Sequence, residues 1–195
     1  MHSKPLARSC ALVVALSLVS VLASAQTAPA PPSPEAVVQS YLQALKDGQY
    51  ATFAAFMHPE ALEKFQSMIL PLVEESAGEG STDSLLPLFQ GVPDVAALKK
   101  LSQAEFFAAF LSGLFEMTPQ LKQAVGSGNI TAIGSVAEGD TLHVVCRTAM
   151  SVNGINMNKM EVVSLKQAAD GWRVLLSGEI EGIAQALRAA RASKL

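Results

Sequence analysis

Thr141–Ile180 reads TLHVVCRTAMSVNGINMNKMEVVSLKQAADGWRVLLSGEI, and its turns decide the fold. Asn153-Gly154 and Asp170-Gly171 are strong two-residue hairpin signals, and Gly139-Asp140 just upstream is a weaker one. Counting outward from the two strong turns places Cys146 opposite Glu161 and Val163 opposite Gly178. Side chains alternate along a strand. One face therefore carries Leu142, Val144, Cys146, Val163, Leu165 and Trp172, and runs on to Ile180. The other carries Val145, Met160, Val162 and Leu175 among the charges of Arg147, Arg173 and Glu179. The first face is apolar enough to lie under helices. The second is too apolar for simple exposure, which suggests a partner.

Upstream of the strands, helical spacing runs from Pro34 to about Val125. Ser33 can cap a first helix with Pro34 in its first turn, and Asp47-Gly48 ends it. Val38, Tyr41, Leu42 and Leu45 make its apolar stripe. A short second helix carries Tyr50, Phe53 and Phe56. His58-Pro59 breaks it and starts a third, bearing Leu62, Phe65 and Ile69, which Pro71 should kink or stop. Residues 78–93 form a long loop with an apolar patch, Leu85–Phe89, either a lid or a short helix plugging the barrel end. The longest predicted helix follows. Ser102-Gln103-Ala104-Glu105 is a capping box, and Phe106, Phe107, Phe110, Leu111 and Leu114 share a broad face. Thr118-Pro119 restarts a helix that ends at Gly126. Helices followed by a strand meander predict an α+β domain, its N-terminal helices packed on an antiparallel sheet of about four strands.

The other end of the chain concerns location. Lys4 and Arg8, the uncharged run Ala11–Ala23 and the small residues Ala23-Ser24-Ala25 have the pattern of a secretory signal peptide over residues 1–25. The run is shorter than the ~20 apolar residues that span a bilayer. Cleavage after Ala25 is expected, giving a periplasmic or secreted protein with no transmembrane segment. Residues 26–34 (QTAPAPPSP) read as a Pro/Ala-rich spacer, and 35–195 as the domain.

Processing would take Lys4 and Arg8 from the 14 basic residues, leaving 12 against 17 acidic ones, or −5. A mildly acidic chain without a basic run argues against nucleic acid and anionic membrane as partners. Cys10 also leaves, so Cys146 stands alone and no internal disulfide forms. Neither His58 nor His143 has a thiol nearby in sequence; no metal site and no cofactor are predicted. Asn129-Ile130-Thr131 matches an N-glycosylation triplet, but the Ala-rich signal looks bacterial and the match reads as chance.

Pro34–Phe65 (PEAVVQSYLQALKDGQYATFAAFMHPEALEKF) and the late strands resemble the NTF2-like superfamily, with its ketosteroid-isomerase and SnoaL-like branches. The resemblance implies a cone in which a curved sheet wraps helices around a pocket; residues 77 to 125 would be an extra helical insertion. Ala36–Tyr41 also looks like the first helix of ketosteroid isomerases, where the tyrosine donates to a developing oxyanion. A carboxylate after the second helix moves the proton in those enzymes, and the gapless match puts Phe65 in its place. A phenyl ring is no base, so proton abstraction is not expected. A weaker resemblance, at Gly178–Ile183, is to periplasmic phospholipid carriers.

These readings predict an exported, non-catalytic domain that binds a small apolar ligand or a protein partner. The alternatives are a periplasmic lipid carrier and a small-molecule enzyme of the isomerase or hydrolase type. The expected pocket lining is Tyr41, Phe65, Phe107, Phe110, Cys146, Glu161 and Trp172. Glu161 is either a ligand anchor and general acid on an apolar face or a rim residue paired with Lys159, the more ordinary arrangement. Cys146 reads as a small buried hydrophobe, because His143 points to the opposite face. The outer sheet face is expected to form a homodimer.

Overall fold

Four antiparallel strands form one open sheet in the order β1-β2-β3-β4, with helices packed on one face. The computed structural model describes residues 31–77, 84–152 and 155–192. The expected signal peptide and most of the expected spacer, residues 78–83 of the loop and the Asn153-Gly154 turn lie outside the described residues.

The helical half follows its local signals. In α1, Pro34–Lys46, the Ser33 side chain accepts from the Ala36 N–H, and Val37, Val38, Tyr41 and Ala44 are buried. Gly48 takes φ +69°, a left-handed value that lets the chain reverse at once into α2, Tyr50–Ala55. His58 caps α3, Pro59–Ser76, with Nδ1 accepting from the Glu60 N–H at 3.2 Å. Pro71 neither stops nor shortens α3. Pro71 and Ser67 both lie on the exposed side, where water can satisfy the Ser67 carbonyl that Pro71 cannot serve. At 18 residues α3 is therefore longer than α5, Gln103–Met117, which has 15.

Ser76 joins the two ends of the following loop: its hydroxyl donates to the Val73 carbonyl and accepts from the Leu85 N–H. Leu86–Leu88 forms a 3-10 turn docked on α5, preceding the short α4, Val95–Leu98. The docking depends on Gly113, where a Cβ would lie 2.2 Å from the Leu88 carbonyl oxygen. The capping box at Ser102 and Glu105 is formed. After α5 comes α6, Pro119–Ser127, none of whose residues is buried.

The strands are β1, Asn129–Glu138; β2, Thr141–Val152; β3, Ile155–Ala168; and β4, Gly171–Val174. Cys146 pairs with Glu161, as counted from the turn. The last hairpin differs from expectation. Ala168 pairs with Gly171, so the turn is Ala169-Asp170 and Leu165 meets Val174. Gly171, at φ +127°, carries its positive dihedral within the ladder instead of the turn. Pairing has slipped by two positions, an even number, so every side chain of β4 keeps its face.

The strand also ends sooner than the sequence predicts. Val174 is bonded to the α2–α3 junction, its N–H to the Phe56 carbonyl at 2.9 Å and its carbonyl to the His58 N–H at 2.8 Å. After Ser177 the chain turns into α7, Gly178–Ala192. The Ser177 carbonyl accepts from the Ile180 and Glu181 N–H groups, and Glu179 and Glu181 suit the positive end of the helix dipole. Val163 therefore does not meet Gly178, and Glu179 and Ile180 belong to α7 instead of the sheet.

Candidate functional site

Four of the seven residues predicted to line a pocket belong to one aromatic column. Tyr41 stacks on Phe53 with centroids 4.1 Å apart, and Phe53 continues to Phe107 at 6.1 Å. Phe65 meets Phe107 edge-on at 4.7 Å and Phe110 at 5.0 Å. Phe65 and Phe107 have no exposed surface and Phe110 almost none. Each such ring contributes about 1.5–3 kcal/mol by burial and each ring pair about 0.5–1.5 more. Phe89, from the loop the sequence left open, completes the column between Phe106 and Phe110.

Cys146 and Glu161 sit side by side on the helix-facing side of β2 and β3. Trp172 does not join them. It pairs with Gln167, six residues along β3 from Glu161, about 20 Å at strand rise.

Glu161 is the centre of a polar network. It accepts from the hydroxyl of buried Thr148 and lies 3.7 Å from Lys159, whose Nζ reaches Glu179 of α7 at 2.8 Å. Its side chain is 25% exposed, so Glu161 is both half-buried and paired with Lys159. Thr148 lies two residues beyond Cys146 and so shares its face, and its partnership with Glu161 is a diagonal contact across the ladder.

The network sets the protonation of its neighbours. Burial, then the negative charges of Glu161 and Glu179, push the Tyr41 phenol well above its ordinary range, so it stays neutral. Burial and Glu161 likewise push the Cys146 thiol up, which disfavours the nucleophilic thiolate. The hydrogen bond from Lys159 lowers the Glu179 carboxyl, and the same contact raises Lys159. On the opposite face His143 contacts Ser164 Oγ at 2.9 Å and Glu138 at 3.1 Å. That row ties three strands together. Among the described residues no group of three or more His, Cys, Asp or Glu side chains could hold a metal ion.

Among the described residues, two hollows open around the C-terminal half of α1. One of about 550 Å3 is bordered by α1, α2 and the start of β1, and one of about 350 Å3 by α1, α5 and α6. None of the seven residues lines either.

The outer sheet face is the remaining feature. Ile133, Val136, Met160 and Val162 are about half exposed on strands β1 and β3. Ile133 is the extra residue of a β-bulge in β1, between Ala132 and Gly134. No described helix is long and apolar enough to cross a membrane. No protein-family model matches the chain, and no curated protein matches its sequence.

Proposed function

We propose that the chain is an exported, non-catalytic binding module of the NTF2-like kind, acting in the periplasm or outside the cell, and that it pairs through its outer sheet face. The order of elements supports the family reading: three N-terminal helices, further helices, then an antiparallel meander covered on one side. The observation that carries the binding reading is the exposed set Val136, Met160 and Val162 on a face no described helix covers. Arg147 and Glu138 on the same face supply the charged component typical of an interface.

The non-catalytic part rests on Phe65. If the likeness to ketosteroid isomerases is carried over, a base belongs there, and a ring packed between Phe107 and Phe110 cannot move a proton. Tyr41 and Glu161 are what an enzymatic reading would use. A lipid-carrier or small-ligand reading draws on the two hollows beside α1.

Sedimentation equilibrium of the processed protein at about 10 μM tests pairing, since a micromolar dimer is well populated there. A dimer that Val162→Glu converts to monomer is expected; a wild-type monomer refutes the pairing. Native mass spectrometry of the protein from its own envelope checks for a co-purifying small molecule. Proton-transfer turnover abolished by Tyr41→Phe would overturn the non-catalytic reading.

A further inference from the structure

The charges of the outer sheet face are unevenly satisfied. Lys166 is held by Glu60 at 3.2 Å and Asp140 at 3.3 Å, and Arg173 by Asp170 and the Ala55 carbonyl. Arg147 is exposed, and its side chain has no ion pair or hydrogen bond among the described residues. Its cross-strand neighbours are Thr131 and Met160, neither of them acidic. Glu138 is the one acidic side chain that the described strands carry on this face. Its carboxylate is 83% exposed and touches only the His143 ring, at 3.1 Å. Glu138 lies opposite Thr141, so the two charges stand six residues of β2 apart, about 20 Å. Val136, Val145 and Val162 fill the two rows between them.

A two-fold axis that relates two such faces lies in the plane between them, and each contact occurs twice. An axis along the strands sets every row on itself, β1 over β4 and β2 over β3. Arg147 then lies over the partner's Met160, and its row holds cations without a counter-charge. An axis across the strands, midway between His143 and Val145, exchanges the rows instead. Arg147 of each copy then reaches the row of the partner's Glu138. The same operation sets Val136, 62% exposed, over the partner's Gly134, where an added Cβ would meet nothing within 4 Å. A projecting valine thus falls on a position without a side chain.

We propose that two copies pair about a two-fold axis across the strands, the strands of the two sheets running antiparallel and Arg147 of each copy bonding the partner's Glu138. This rests on the pairing reading above and adds its symmetry and the residues that select it. Charge pairs at the edge of an apolar patch fix register and exclude wrong alignments more than they add affinity.

Complementary charge reversal, followed by sedimentation equilibrium of the processed protein, tests this. Arg147→Glu leaves each copy with two acids at these positions, and Glu138→Arg with two cations. Like charges would then meet, so each variant alone should pair at least roughly a hundredfold more weakly than the wild type. Both positions are exposed, and each variant should keep the wild-type far-UV circular dichroism. An equimolar mixture should recover a dimer at near wild-type affinity, and native mass spectrometry should find one copy of each variant in it. Undiminished self-pairing of either variant overturns the proposal. So does a mixture that stays monomeric while the wild type pairs and Val162→Glu dissociates it; pairing through the outer face then stands with another symmetry. A wild-type monomer refutes the pairing and, with it, the symmetry that rests on it.

Discussion

Gly113→Ala should destabilise the protein, although alanine is the better helix former. Helix propensity alone favours the substitution by about 1 kcal/mol. The new Cβ, however, falls 2.2 Å from the Leu88 carbonyl oxygen and 2.5 Å from its carbon, both backbone atoms that cannot rotate away. The Leu86–Leu88 turn must lift from α5, and Phe89, now 2% exposed, lifts with it. Losing that burial costs about 1.5–3 kcal/mol, and losing its ring contacts with Phe106 and Phe110 about 0.5–1.5 more. The net expectation is a loss of about 1–3 kcal/mol, a fall in Tm of roughly 2–12 °C. Urea unfolding at pH 7 measures it. Gly126→Ala in α6 is the control: nothing lies within 4 Å of its added Cβ, so stability should hold or rise slightly. If Gly113→Ala is neutral or stabilising, the docking of Leu86–Phe89 on α5 is wrong.

Ser102→Ala removes the reciprocal cap of α5 and should cost about 1 kcal/mol in urea unfolding, while Ser102→Asp should retain most of it. Because Lys159 holds the Glu179 carboxyl below its ordinary range, that contact stabilises above the unfolded glutamate value and is lost as pH falls through the lower folded one. Glu179→Gln should accordingly make the acid limb of stability shallower than in the wild type; identical slopes from pH 6 to 3 would argue against the latch. The raised, buried Cys146 thiol should resist a thiol reagent at pH 7.5 until denaturant unfolds the chain, and rapid labelling of the native protein would contradict its placement.

What the sequence by itself determined was whatever a few neighbouring residues can settle. Helix starts at Ser33, at His58-Pro59 and at Ser102 with Glu105 were legible because each cap is a hydrogen bond spanning two or three residues. The pairing of Cys146 with Glu161 was legible because counting outward from a short turn sets the register of both strands. The tertiary structure alone decided the rest. Pro71 stays within α3 because its side of the helix faces water, a fact of packing. β4 stops at Val174 because Phe56 and His58, more than a hundred residues earlier, take its backbone groups. A stripe of phenylalanines spaced for a helix is written identically whether it lines a space or fills one. That Phe65, Phe107 and Phe110 interlock, and that two hollows open along α1 where no single motif marks them, depends on contacts between distant segments. Local spacing cannot encode which surfaces meet; burial does, and it exists only once the chain has closed on itself.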